Sequence, residues 1–178
     1  MRPLFPSDPA KAYYDRLFGP SGWSNGVTLN LSIGQGENSQ TVVNMARFYT
    51  ALATDGMAAR PEIVRGETER TRLFSITPQQ LAGLQDALTN VVGRGTAVGS
   101  RLEGIAIAGK TGTAQNAQDA VRDHAWFVGY APAEDPKIVV ALMLEFGGSG
   151  SRAARMASRV IEHYLKVRVA EMSSTEGP

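Results

Sequence analysis

A six-residue segment, Lys110-Thr-Gly-Thr-Ala-Gln115, concentrates groups that can hold and polarise an anionic ligand. A lysine ammonium and two threonine hydroxyls can bind a carboxylate, and main-chain amides beside a glycine can donate to an oxyanion. Gly112 has no side chain, so a ligand can come close to the backbone at that position. A surface turn that happens to contain the same residue types is the alternative interpretation.

The elements around this segment decide how its side chains are presented. Gly104-Ile-Ala-Ile-Ala-Gly109 has the composition of a β-strand, which is predicted to continue through Lys110 and the residues after it. Because successive strand residues point to opposite faces, Lys110 is expected on one face and both Thr111 and Thr113 on the other.

Two apolar runs, His124–Ala131 and Lys137–Phe146, flank a short turn with proline at both ends and predict a β-hairpin. The unbroken run Ile138–Leu144 is typical of a strand that is buried on both faces. His124 begins the first strand of this hairpin, close to the candidate segment. It could contact a substrate, although packing at the sheet edge is the favoured interpretation.

Capping residues and helical spacing predict three helices. The first begins at Asn38 or Ser39 and ends near Thr54. The second has the clearest start signal, Thr77-Pro-Gln-Gln80, which is a capping box with proline in the first turn, and it continues to Gly93.

The third predicted helix begins near Ser151, with an arginine-rich face that is expected to be solvated. Its opposite face is expected to be buried and consists of Met156, Val160, Ile161, Tyr164 and Leu165. Period-two alternation over Val27–Ile33 predicts a further strand. Together these elements favour the α+β class, with an antiparallel sheet that carries packed helices.

Composition excludes several function classes. The 178 residues carry a formal net charge of +1, which argues against a protein that binds nucleic acid by neutralising phosphates. Cysteine is absent and only two histidines are present, so disulfide frameworks, thiolate zinc sites and multi-histidine metal sites are not expected. No metal and no cofactor is therefore predicted.

Stretches elsewhere in the chain carry motifs that accompany the candidate segment. Lys110-Thr-Gly-Thr resembles the third signature motif of the penicillin-recognising serine transferases. Three further stretches, in the same order, resemble class B penicillin-binding proteins of the cell-elongation, penicillin-binding protein 2-like type: Leu29–Gly36 with the helix after it, Arg94–Ala97, and Asp123–Pro132. The resemblance extends from about Trp23 to Lys166.

This resemblance implies a β-lactamase-like transpeptidase domain that cross-links peptidoglycan stem peptides ending in D-Ala–D-Ala through an acyl-serine, and that binds β-lactams. By position, Lys110 would be a catalytic cation. The substrate-binding residues would be Thr111, Gly112, Thr113 and Gln115, with the Thr113 amide in the oxyanion hole. Residues 27–167 would be the C-terminal part of that domain, 1–26 an irregular segment and 168–178 a flexible tail.

One departure from the family pattern matters. No serine in the chain is followed three residues later by lysine, and S-x-N is also absent. The resemblance therefore implies that the nucleophile lies upstream of Met1, that this chain is inactive alone, and that it needs the remainder of the domain as a partner. It also implies a parent protein anchored at the periplasmic face of the bacterial cytoplasmic membrane, beside elongation-complex membrane proteins, with the present stretch soluble.

Other functions stay open at this level. A non-catalytic module could use the Lys110–Thr113 groove to hold a peptide or a carboxylate. A serine β-lactamase or a D,D-carboxypeptidase is a weaker alternative within the same superfamily, and a regulator unrelated to cell walls is the remaining one.

Overall fold

The computed structural model describes residues 15–19, 24–36, 40–64, 66–115 and 121–175. The chain divides into two compact units, residues 1–40 and 41–178. This division lies later than residue 26, where the sequence suggests that the irregular segment ends. In the first unit, residues 15–18 are helical, and helix α1 comprises Asn25–Ser32.

Helix α1 occupies the segment for which alternation predicts a strand, and that prediction is wrong. Ser24 has an extended backbone, and its Oγ accepts a hydrogen bond from the Val27 amide at 3.3 Å, which caps the helix. Leu29 and Ile33 are both exposed, and no residue of α1 is buried. The alternation of apolar residues here therefore does not report one buried face of a sheet.

Within its described residues, the second unit contains three longer helices and five strands. The helices are α2 (Val42–Ala53), α3 (Pro78–Gly93) and α4 (Gly150–Thr175), and a 3₁₀ turn covers Val98–Ser100. The strands are β1 (Met57–Ala59), β2 (Arg70–Arg72), β3 (Ala108–Ala114), β4 (His124–Ala131) and β5 (Ile138–Leu144).

Strands β3, β4 and β5 form an antiparallel sheet in that order, which confirms the predicted hairpin and the α+β class. Strands β1 and β2 make a separate small hairpin. Side chains on both faces of β5 pack against the cores, as expected for Ile138–Leu144, with Val140 and Leu142 on one face and Val139 and Ala141 on the other. Every residue of the strand is nevertheless only partly buried. The reason is position, because β5 lies at the edge of the described sheet.

Helices cover both faces of this sheet. On one face, α4 packs Ala153, Ala157 and Ile161 against Phe127 of β4. On the other face, α2 packs Tyr49 and Leu52 against β4, where the contacts are made by Val128 and Tyr130. Small residues in α4 let the helix approach the strands closely.

The prediction for the buried face of α4 is only partly correct. Ile161 is buried, but Met156 and Val160 are 44% and 47% exposed. Alanines at 153, 154 and 157 form the contact with the sheet instead. The arginine side chains at 152, 155 and 159 are exposed, as expected.

Local capping sets where the helices begin. The predicted capping box of α3 is confirmed, since Thr77 Oγ1 accepts from the Gln80 amide and Gln80 Oε1 accepts from the Thr77 amide. Helix α2 is capped by Thr41, whose Oγ1 accepts from the Asn44 amide at 3.1 Å. The caps predicted at residues 38 and 39 lie outside the described residues.

Helix α4 begins at Gly150, one residue before the predicted start. It continues to Thr175, well past residue 168, where the sequence suggests a flexible tail. Among the residues that the structure describes, no helix is both long enough and apolar enough to span a bilayer.

Candidate functional site

Strand β3 presents the candidate segment on two faces, as its pleat requires. Thr111 pairs with Phe127, which belongs to the core under α4, and Lys110 pairs with Val128, which belongs to the core under α2. Gly112 shares the Lys110 face, because a Cβ at this position would lie 3.2 Å from Cβ of Trp126. The predicted separation of Lys110 from the two threonines is therefore confirmed.

The Thr111 hydroxyl meets a second hydroxyl from another element. Its Oγ1 lies 2.7 Å from Oγ1 of Thr96, within a tight turn that follows α3. Nothing in the sequence assigns Thr96 a role, because the contact joins residues 15 positions apart. The Arg94–Ala97 motif marked the turn but not its contact with β3.

The Thr113 hydroxyl lies at the beginning of α4. The Gly150 amide donates to Thr113 Oγ1, with an N···O distance of 3.4 Å. The partly positive N-terminal end of a long helix is thus next to β3, where it favours negative charge. Thr113 as a residue is exposed.

Lys110 and Gln115 contribute polar groups at the two ends of the segment. The Lys110 side chain is exposed, and its Nζ donates to the Thr111 carbonyl at 2.8 Å, so the ammonium lies close to the strand backbone. Gln115 is exposed directly after the end of β3. The threonine face of β3 combines hydroxyls with a helix N-terminus, which suit a ligand with a carboxylate, whereas the Lys110 side chain leaves the strand on the opposite face.

His124 is at the same end of the sheet as Gln115, paired with Ala114. Its Nδ1 accepts a hydrogen bond from the Phe146 amide at 3.0 Å, and the two rings are 5.1 Å apart. Phe146 has a φ of 52°, a left-handed conformation that is uncommon for a bulky residue. His124 therefore helps to hold this turn, and contact with a substrate stays a prediction.

Two tyrosines are buried on the Lys110 face of the sheet. Burial raises the pKa of Tyr49 to about 12, and the nearby Tyr130 contributes to the same rise. Burial also raises the pKa of Tyr130 to about 12. The Tyr130 hydroxyl has no hydrogen-bond partner among the described residues. Both phenols are neutral at ordinary pH and do not supply charge to the site.

The described ranges contain no group of three or more histidine, aspartate or glutamate side chains arranged to hold a metal ion. Strand β3 itself carries hydroxyls, main-chain amides and an ammonium group.

The chain matches a known protein family. Residues 15–162 match the family model described as the penicillin-binding protein transpeptidase domain. The chain belongs to this family. The transpeptidase fold of mixed helices and antiparallel sheet agrees with the class predicted from the sequence.

Individual relatives of this transpeptidase domain are similar in sequence and in structure. The peptidoglycan D,D-transpeptidase MrdA of Acinetobacter baumannii is 31% identical over 172 residues, which is 83% of this chain and 26% of that protein. Penicillin-binding protein 2 of Pseudomonas aeruginosa superposes with a TM-score of 0.72 at 36% identity, over 91% of this chain and 38% of that one.

A third similar protein has been solved as an acyl-enzyme. The imipenem acyl-enzyme complex of penicillin-binding protein A from Mycobacterium tuberculosis superposes with a TM-score of 0.68 at 28% identity, over 76% of this chain and 33% of that one. The chain thus spans 26% of the curated relative and about a third of the solved chains.

Proposed function

We propose that this chain is the carboxylate-binding wall of a peptidoglycan D,D-transpeptidase. The observation that supports this proposal is the convergence of Thr111, Thr113 and the Gly150 amide on one face of β3. Similarity to a D,D-transpeptidase and to a β-lactam acyl-enzyme points to the same activity. The Thr111 and Thr113 hydroxyls would donate to the terminal carboxylate of a D-Ala–D-Ala stem peptide or to that of a β-lactam.

The reaction would begin when a serine hydroxyl attacks the carbonyl of the penultimate D-alanine. The serine loses its proton to a base, and the carbonyl oxygen becomes an oxyanion that the Thr113 amide would stabilise. The C–N bond then breaks, and the terminal D-alanine leaves as an amine after taking up a proton. An amine of a neighbouring stem peptide attacks the acyl-serine, forms the cross-link and regenerates the hydroxyl.

Lys110 would supply positive charge and take part in proton transfer from the opposite face of the strand. Gly112 would keep the strand clear for the substrate backbone, and Gln115 would extend the polar wall. No S-x-x-K or S-x-N occurs in the sequence, so we propose that the nucleophile lies on polypeptide outside this chain and that the chain alone is inactive. We further propose that the parent protein acts at the periplasmic face of the cytoplasmic membrane, with elongation-complex membrane proteins.

Intact-protein mass spectrometry with penicillin tests this proposal. The 178-residue chain should gain no covalent mass, whereas the protein extended upstream to include an S-x-x-K serine should gain one acyl group. In the extended protein, Thr113→Val should slow acylation by about 10- to 100-fold, because a hydrogen bond to a charged group is lost. Thr89→Val is the matched control, since the Thr89 hydroxyl bonds within its own helix to the Gln85 carbonyl.

A stoichiometric adduct on the isolated chain would contradict the assignment of the nucleophile. An extended protein that never acylates, but binds D-Ala–D-Ala peptides reversibly, would instead favour a non-catalytic module that uses the same groove. The absence of S-x-x-K from the sequence is the observation that favours this non-catalytic binding function.

A further inference from the structure

The turn after α3 holds Thr96 in a fixed position. The Gly95 and Ala97 amides both donate to the Val91 carbonyl at 3.1 Å, and the Ala97 side chain is buried. A Cβ at Gly95 would lie 2.9 Å from both Cα and the carbonyl oxygen of Val91, so the turn requires glycine there. The Thr96 hydroxyl is therefore presented by a tightly constrained backbone.

The contact between Thr96 and Thr111 has two possible directions. Each hydroxyl has one proton to donate and two lone pairs that can accept, and the 2.7 Å separation allows either residue to be the donor. A carboxylate can only accept. Once Thr111 donates its single proton to a carboxylate, it can no longer donate to Thr96, and the bond between them survives only with Thr96 as the donor.

We propose that Thr96 is a positioning residue that orients the Thr111 hydroxyl toward the ligand carboxylate. By donating to Thr111 Oγ1, Thr96 keeps the Thr111 proton available and polarises that hydroxyl as a donor. This inference rests on the proposed function, because it takes the ligand to be the carboxylate of a stem peptide or a β-lactam. The turn after α3 thereby becomes part of the proposed substrate-binding site.

The test is a set of substitutions in the protein extended to include its nucleophile, with fluorescent penicillin as the probe. Thr96→Val should lower the second-order rate constant of acylation about fivefold, the scale expected for one lost hydroxyl hydrogen bond. Thr96→Ser keeps the hydroxyl and should stay within about twofold of the wild type on the same scale. The melting temperature of each variant is recorded beside its rate.

A double-mutant cycle separates positioning from a general effect on structure. If Thr96 acts through Thr111, then Thr96→Val should have no further effect in a Thr111→Val background. Additive effects, or a Thr96→Ser protein as slow as Thr96→Val, would overturn the inference. If acylation of the Thr111→Val variant is too slow to measure, the inference is tested by comparing the acylation rates of Thr96→Ser and Thr96→Val alone.

The outcomes also distinguish this inference from the proposed function. If the wild-type extended protein does not react with penicillin, both the proposed function and the inference about Thr96 are contradicted. If the wild-type extended protein reacts with penicillin and the Thr96→Val variant reacts equally fast, only the inference about Thr96 is contradicted.

Discussion

Gly150 of α4 lies directly against Gly112 of β3. A Cβ on Gly150 would be 2.6 Å from the carbonyl oxygen and 2.9 Å from the amide nitrogen of Gly112, and real Cβ atoms essentially never come so close to backbone atoms. Glycine at position 150 therefore lets the first turn of α4 touch the strand. This approach is what brings the Gly150 amide to the Thr113 hydroxyl.

Gly150→Ala should therefore force α4 away from β3. We expect a loss of roughly 1–3 kcal/mol in the free energy of unfolding, the usual effect of overpacking a close contact. Gly83→Ala is the matched control, because nothing lies within 4 Å of a Cβ at that helical position. It should raise stability by about 0.5–1 kcal/mol through helix propensity. Urea unfolding of both variants measures the contrast, and equal effects of the two alanines would contradict the packing argument.

The buried tyrosines should make the protein sensitive to alkali. In the unfolded chain both phenols titrate near their ordinary pKa of about 10, whereas burial raises the pKa of Tyr49 and Tyr130 to about 12 in the folded protein. Between these values the unfolded state has lost protons that the folded state retains. Stability is therefore unaffected by these groups below pH 10 and should fall between pH 10 and 12, by up to about 1.4 kcal/mol per pH unit for each phenol.

Tyr130→Phe isolates one of these contributions. It should reduce the alkaline loss of stability by about half or more, since one of two titrating phenols is removed and Tyr130 also contributes to the raised pKa of Tyr49. Near pH 7 it should be neutral or stabilising by about 1 kcal/mol, because the hydroxyl removed has no partner among the described residues. Urea unfolding at several pH values measures both effects. An unchanged pH dependence, or a large loss of stability at pH 7, would count against this account.

The capping box at Thr77 should be worth about 1 kcal/mol to α3. Thr77→Ala removes the acceptor for the Gln80 amide and should lower the free energy of unfolding by that amount. Thr77→Ser keeps an acceptor oxygen and should be close to the wild type. Chemical denaturation followed by circular dichroism compares them, and indistinguishable alanine and serine variants would show that the cap adds nothing.

The outer edge of β5 should promote self-association. Within the described residues this strand pairs only with β4, and an unpaired edge with apolar side chains is a template for another strand. We expect the mass measured by light scattering to rise with concentration. Val160→Lys is the control, because Val160 is an exposed apolar residue on α4 and not on the edge.

If Val160→Lys abolishes the association, the helix face and not the strand edge is responsible. A clean monomer at all concentrations would contradict the prediction altogether.

Local signals in the sequence were sufficient to predict those elements whose hydrogen bonds are formed between residues close together in the chain. The capping box of Thr77 defines its helix because donor and acceptor lie three residues apart. The hairpin of β4 and β5 follows from two apolar runs around a short turn. The Lys110–Thr113 motif, in order with three other stretches, was enough to indicate the family. The strand predicted over Val27–Ile33 failed because a strand depends on a neighbouring strand, whereas a helix pairs its own amides.

Tertiary structure decided what depends on residues distant in the chain. The burial of β5 depends on which strands flank it, and the face of α4 that packs depends on how closely alanines let it approach the sheet. The contacts of Thr111 with Thr96 and of Gly150 with Gly112 join separate elements. The sequence by itself thus named the chemical groups of the candidate site, and packing alone set their mutual distances, because close contact is a property of surfaces and not of spacing along the chain.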